Sequence, residues 1–245
     1  MPHLPLAGKS VLVTGGARRI GRAIALACAC AGADVAITYR NSHADAAGTA
    51  EEIAALGVRS LAVECDVRSQ NSVQAAMAAV LRAFERLDVL VNNAAVFASA
   101  PLEQISLEAW DAVFETNARG PFLVAREALP ALRAAEGRIV NIGSLGGLRA
   151  WPGHAHYCAS KAALHMLTQA MARAFAPQVS VNCIAPGWIE FPDEAGEDAA
   201  RFAARTPMQR NGAAEDVAQA VLFFATGPKF VTGQILGVDG GLGLV

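Results

Sequence analysis

Short runs of β-branched and aliphatic residues alternate with alanine-rich stretches along the whole chain. Ser10–Thr14 (SVLVT) predicts a strand, and Gly21–Ala31 a helix that stops at Gly32. Val35–Tyr39 is the next strand, followed by a helix over Ala44–Leu56 ending at Gly57. Leu61–Cys65, a helix at Ser72–Phe84 and a strand at Val89–Asn92 complete the first half. The second half repeats the rhythm. Leu107–Asn117 and Phe122–Ala134 read as helices, Arg138–Ile142 as a strand and Tyr157–Phe175 as a long helix. A strand at Val179–Ile184, a helix at Ala214–Ala225 and a strand at Ile235–Val238 follow. The strands are apolar throughout rather than alternating, as strands buried on both faces are. Seven of them alternating with helices predict an α/β fold, a parallel sheet covered by helices on both faces. No fixed-period repeat, low-complexity tract or linker interrupts residues 1–245, so one domain is expected. The rhythm breaks at Gly187–Arg205, where Trp188, Phe191 and Pro192 precede an acidic run. Such a break suits a substrate lid.

Composition narrows the function classes. The chain has 245 residues, of which 53% are hydrophobic and 17% charged, which excludes a disordered protein. Lys plus Arg number 20 against 22 Asp plus Glu, a net charge of -2. That balance makes no electrostatic case for a nucleic-acid or membrane-surface partner. The partner expected is a small molecule. Cys28, Cys30, Cys65, Cys158 and Cys183 are odd in number, form no CxxC and match no zinc spacing, so no metal is expected. They read as buried thiols of a cytoplasmic protein. Met1–Lys9 lacks the basic and apolar regions of a signal peptide, and Ala23–Ala33 is too short to span a bilayer.

The first turn reads Thr14-Gly15-Gly16-Ala17-Arg18-Arg19-Ile20-Gly21, after a strand and opening a helix. Glycine there permits a tight turn and lets a pyrophosphate approach the backbone, while the helix N-terminus offers free N–H groups. In this context the turn predicts a dinucleotide site. A carboxylate at the end of the second strand would bond a ribose 2′-OH and repel a 2′-phosphate. Tyr39-Arg40-Asn41-Ser42 stands there instead. With Arg18 and Arg19 it offers guanidinium groups suited to phosphate, so NADPH is expected over NADH. Asp66, followed by Val67, is placed to accept from an adenine amino group. Asn93 and Ala94 end the fourth strand, where small residues leave room for a ribose.

Tyr157 and Lys161 are four apart on a helix and share a face. A nearby ammonium stabilises a phenolate. Lowering a tyrosine pKa by about two to three units takes roughly 3–4 kcal/mol. Such a tyrosine is a general acid for carbonyl reduction. Ser144, thirteen residues earlier, can hold the substrate oxygen beside it. Gly143-Ser144-Leu145 lacks the G-x-S-x-G elbow of a serine hydrolase.

Thr14–Gly21, Asn92–Ala95, Asn117, Ser144, Tyr157 with Lys161, and Pro186-Gly187 together resemble the short-chain dehydrogenase/reductase family, from Gly8 to Gly241. The resemblance implies a Rossmann-type, doubly wound sheet of seven parallel strands. It implies hydride transfer between a nicotinamide and a carbonyl, alcohol or imine carbon. Tyr157 would be the acid or base, and Lys161 would lower its pKa and bond the nicotinamide ribose. Ser144 would orient the substrate, and Asn117 would hold a water of a proton relay. Pro186, Gly187 and Ile189 would meet the cofactor, and a homotetramer or homodimer is implied.

Two departures stand out. Arg19 replaces the family's usual middle glycine, and this T-G-x-x-x-R-x-G form resembles pteridine reductases, as do Arg40-Asn41-Ser42 and Phe97. Those enzymes carry Asp where this chain has Ser144, which resembles general carbonyl reductases, including 3-oxoacyl-carrier-protein reductases. Phe191 stands where the family often has a Thr that bonds the carboxamide, leaving that bond to backbone around Trp188–Glu190. Phe97, Ser144, Trp151, His154, Trp188 and Phe191 are expected to wall a flat, aromatic substrate pocket. His154 and His156 flank Tyr157 as substrate donors or as packing residues. The other readings are a non-catalytic dinucleotide sensor and, on the alanine-rich helices alone, an assembly protein.

Overall fold

The computed structural model describes residues 4–191 and 197–245. Its strands are β1 (Ser10–Val13), β2 (Asp34–Tyr39), β3 (Ser60–Glu64), β4 (Val89–Asn92), β5 (Arg138–Ile142), β6 (Ser180–Pro186) and β7 (Ile235–Val238). They form one sheet in the order β3-β2-β1-β4-β5-β6-β7, every neighbouring pair parallel. The helices are α1 (Arg19–Cys30), α2 (His43–Ala55), α3 (Gln70–Phe84), α4 (Leu107–Phe114), α5 (Gly120–Ala134), α6 (Ala155–Phe175), α7 (Glu197–Arg205) and α8 (Ala214–Thr226).

Strand side chains point alternately to opposite faces, and this sheet buries both sets. Val11, Val13, Val35, Ile37, Val89 and Val91 pack under Ile24 and Cys28 of α1, Ile53 of α2 and Val221 and Phe224 of α8. Leu12, Ala36, Leu90 and Ile139 face the other way, against Met77 and Val80 of α3, Ala128 and Leu132 of α5 and Met171 of α6. This double burial is why the inner strands read as apolar runs; the edge strands β3 and β7 are only partly covered.

Strand order reverses between β1 and β4, and the crevice at such a reversal is where α/β sheets bind ligands. Three local features were not expected from the sequence. Leu107–Asn117 and Phe122–Ala134 read as two helices, yet a π-helical turn at Glu115–Arg119 joins α4 to α5. α6 opens at Ala155, two residues before Tyr157. α7 lies inside the expected lid segment, of which residues 192–196 fall outside the described residues. Among the described residues, no helix is long and apolar enough to cross a membrane.

Candidate active site

A cleft of about 690 Å³ runs along the C-terminal ends of β1, β2 and β4. One end is the turn between β1 and α1. Gly15 sits at φ +63°, and a Cβ there would lie 3.0 Å from Ala94 Cα. At Gly21 a Cβ would come within 2.2 Å of the Gly15 carbonyl and 2.5 Å of Asn93 Nδ2. The turn is braced from three sides. Thr38 accepts the Gly15 N–H through its hydroxyl (3.3 Å), and Thr49 donates its hydroxyl to the Ala17 carbonyl (2.9 Å). Asn93 Nδ2 donates to the carbonyls of Thr14 and Gly15, both at 3.0 Å. The Asn93 amide is therefore directed at the turn, and its neighbour Ala94 supplies cleft surface.

Ala17, Arg18, Arg19, Ile20, Tyr39, Arg40, Asn41, Ser42, Asp66 and Val67 all line this cleft. Arg18, Arg19, Arg40 and Asn41 are exposed at its rim. Arg19 occupies the left-handed region at φ +53°, with its guanidinium 4.9 Å from the centre of the Phe191 ring. The Asp66 carboxylate is already held by Arg68, whose Nε and Nη2 approach to 2.9 and 2.6 Å. That pairing keeps the Asp66 carboxyl below its usual range. Thr38, Cys65, Ala95, Val96 and Thr116 also line the cleft. Of these, Ala95 belongs to the Asn92–Ala95 motif read from the sequence, whereas Thr38, Cys65, Val96 and Thr116 are not singled out there as cleft residues.

The other end is built where β5 meets α6. Tyr157 presents its ring to the cleft, in edge contact with Phe97 (4.8 Å between centres) and stacked on Trp151 (6.3 Å). Phe97 is 58% exposed and stacks on His154 at 4.6 Å. His154 Nδ1 meets the Ala98 carbonyl at 3.0 Å, and Ala100 N–H donates to Gly153 O at 2.8 Å. These two bonds clamp the loop after β4 to the loop before α6. His156 is buried and does not line the cleft.

Lys161 and Ser144 lie behind the tyrosine, each only 3% exposed. Lys161 Nζ donates to the Ile142 carbonyl at 2.8 Å and sits 5.8 Å from the centre of the Tyr157 ring. Ser144 Oγ accepts from Gly146 N–H at 3.0 Å. The electrostatics reverse the direction expected from the Tyr–Lys spacing. Burial raises the Tyr157 phenol above its ordinary value, and the Ser144 hydroxyl offsets only part of the rise. Burial instead acts on the lysine, pushing its ammonium down to about 8. The reason is that the ammonium is turned toward Ile142 and is itself desolvated.

Asn117 lies in the π-helical turn, a local geometry frequent at functional sites. Its Oδ1 accepts from Val96 N–H (2.9 Å), and its Nδ2 donates to Val96 O and Ser160 Oγ, both at 3.0 Å. Pro186 ends β6, and Gly187 N–H donates to Val238 O. The Trp188 carbonyl and Glu190 N–H are both taken by Gly212, which leaves the Ile189 peptide groups without a partner among the described residues. Trp188 stacks on Phe202 of α7 at 4.3 Å and does not line the cleft. Of the expected substrate wall, Phe97 and Phe191 border the cleft directly.

Comparison with known proteins agrees with this geometry. A family model described as enoyl-(acyl carrier protein) reductase matches residues 15–243. The 3-oxoacyl-[acyl-carrier-protein] reductase FabG of Staphylococcus aureus is 39% identical over 243 residues, covering 96% of this chain and 98% of that protein. The 3-oxoacyl-[acyl-carrier-protein] reductase of Synechocystis is 37% identical, covering 97% and 98%. Among solved structures, a short-chain dehydrogenase/reductase from Serratia marcescens superposes with a TM-score of 0.93 at 36% identity, covering 98% and 99% of the two chains. A blue fluorescent protein from a metagenomic library, in complex with NADPH, gives 0.91 at 35% identity, covering 97% and 99%. By family match, relatives and fold alike, the chain belongs to the short-chain dehydrogenase/reductase family.

Proposed function

We propose that this oxidoreductase is NADPH-dependent and reduces a carbonyl or imine carbon of a compact, ring-containing or apolar substrate. The observation that carries the proposal is the pairing of a half-buried, protonated Tyr157 with Ser144 and Lys161 at one end of a cleft whose other end is a glycine cradle rimmed by arginines. The residues present fit a phosphorylated dinucleotide. Gly15 and Gly21 leave room where a Cβ would collide, and no carboxylate follows β2 to repel a 2′-phosphate. The NADPH complex of the metagenomic relative supports the same cofactor.

NADPH supplies the hydride when bound. The chain's residues do the rest. Arg40, with Arg18 and Arg19, neutralises phosphate charge at the rim. Ile189 offers its unpaired peptide groups to the carboxamide. Ser144 holds the substrate oxygen, and Tyr157 gives it the proton. The raised phenol pKa keeps that proton in place at neutral pH until charge develops on the oxygen, which is the requirement for a general acid. Lys161 stabilises the phenolate left behind, and Asn117 holds the water through which the proton is restored. The aromatic wall of Phe97, Trp151 and His154 around Tyr157 favours a flat substrate. A cytoplasmic homotetramer or homodimer fits this reading.

A second reading, reduction of a 3-oxoacyl thioester, is supported by Ser144 and by the names of the relatives. A third, reduction of a dihydropterin, is supported by Arg19 and the exposed Phe97. The test follows NADPH oxidation with an aromatic diketone, an acetoacetyl thioester and a dihydropterin in parallel. Turnover of the diketone is expected. Exclusive turnover of the thioester or of the pterin would replace the first reading with the second or third.

A further inference from the structure

We propose that His165 is a positioning residue that sets Ser144, and through it Tyr157; this rests on the reductase reading above. Helix α6 meets the end of β5 through a ladder of polar side chains. Lys161 donates to Ile142 O, and Asn141 Nδ2 donates to Thr168 Oγ1 at 2.8 Å. Between these rungs lies His165, four residues beyond Lys161 and 4% exposed. Ser144 N–H donates to its Nε2 at 3.4 Å.

The loop is shaped around this ring. A Cβ on Gly143 would lie 2.3 Å from His165 Nε2, and one on Gly147 would lie 2.6 Å from its Cε1. Gly143, just before Ser144, and Gly147, three residues after it, thus leave a slot that the imidazole fills. Nε2 accepts, so the ring hydrogen is on Nδ1, which is buried without a hydrogen-bond partner among the described residues. An apolar side chain would fill the slot without that cost, and only an acceptor anchors the Ser144 backbone. The charged or titratable groups that face the slot are Lys161 from α6 and Cys183 from β6, which shares the space beside Gly143. Burial and the Lys161 ammonium outweigh the Gly147 backbone, which favours the charged ring, and hold the imidazole neutral, the form that accepts.

The test compares His165→Leu, which fills the slot without an acceptor, with His165→Gln, whose amide oxygen reaches the Nε2 position. His165→Leu is expected to lower kcat about tenfold or more with KM for NADPH unchanged, and His165→Gln to recover most of the loss. A second readout needs no substrate. The chain has two tyrosines, so phenolate absorbance with Tyr157→Phe as the subtraction reports Tyr157 alone. His165→Leu should raise the Tyr157 midpoint, because a displaced Ser144 hydroxyl no longer favours the phenolate. Equal kcat and equal titration in His165→Leu and wild type would overturn the proposal, leaving a packing role. If His165→Leu does not fold, His165→Met, a second apolar side chain without the acceptor, takes its place in both readouts and is read in the same way. No NADPH oxidation by the wild-type chain with any of the three substrates would remove the reductase reading while leaving the titration result standing.

Discussion

The two ends of the cleft are built in opposite ways. At the cofactor end, shape comes from backbone, with glycines where side chains would collide and neutral braces from Thr38, Thr49 and Asn93. Its charged groups, Arg18, Arg19 and Arg40, are exposed. At the chemical end, Lys161, His165 and Ser144 are buried and Tyr157 half-buried, and burial displaces the proton affinities of all three titratable groups. The difference divides the labour. An exposed arginine loses little when a neighbour changes, because water screens it. A buried ammonium or phenol has no such cushion, so small changes there alter chemistry.

The largest effect should come from the chemical end. Tyr157→Phe keeps the ring packing and removes the acidic proton, so kcat is expected to fall about a thousandfold. Calorimetric titration with NADPH should show affinity within about twofold of wild type. Loss of binding together with turnover would mean that the two ends are not separable. At the cofactor end, Gly21→Ala places a Cβ against the Gly15 carbonyl and Asn93. We expect NADPH affinity to fall on the order of a hundredfold in the same titration, with stability reduced by about 2 kcal/mol. Unchanged affinity would show that the turn can shift without consequence.

Arg40→Asp sharpens the comparison within the cofactor end. A carboxylate there repels a 2′-phosphate and bonds a 2′-hydroxyl. The ratio of NADPH to NADH affinity should drop about tenfold to a hundredfold while kcat with saturating cofactor stays level. An unchanged ratio would assign phosphate recognition to Arg18 or Arg19 instead.

What the sequence makes legible follows the same division. Strands β4, β5 and β7 lie where runs of aliphatic residues predict them; β4 and β5 are covered on both faces, while β7, at the sheet edge, is partly exposed. The cleft residues of the first turn are legible because glycine spacing is a backbone property. The direction of the Tyr157 shift was not, since helix spacing brings Lys161 near but does not say that Ile142 O captures its ammonium. The π-helical turn was hidden for a related reason. Gly120-Pro121 reads as a break between helices, whereas α5 accommodates the proline in its first turn, where no N–H is needed. His165 escaped notice because its partner is a backbone N–H, which leaves no mark on side-chain patterns.

The buried groups also predict how stability follows pH. His165 has a folded pKa of about 4 against an ordinary 6.5, so the unfolded chain takes up its proton first as pH falls. Stability is therefore lost from about pH 6.5 downward toward 4, on the order of 3 kcal/mol in all. Lys161 acts at the opposite edge. Its folded pKa of about 8 against 10.5 lets stability rise between those values. Urea denaturation at a series of pH values checks both, and His165→Gln should flatten the acid limb alone. An acid limb equally steep in that variant would assign the loss to another group.

The smallest effect separates backbone from side chain at Arg19. Its φ of +53° costs a residue with a Cβ about 1 kcal/mol relative to glycine. The guanidinium over Phe191 returns roughly 0.5–1 kcal/mol at an exposed site. Arg19→Ala keeps the strained backbone and loses the ring contact, so it should be destabilised. Arg19→Gly loses the same side chain but relieves the strain, and should be the more stable of the two. The two variants should then differ by about 1 kcal/mol in denaturant midpoint energies. Equal stability of the two would mean that residue 19 leaves the left-handed region once the arginine is gone. In that case the side chain, through Phe191, holds the turn in place, and the cofactor end is less purely a backbone construction than its glycines suggest.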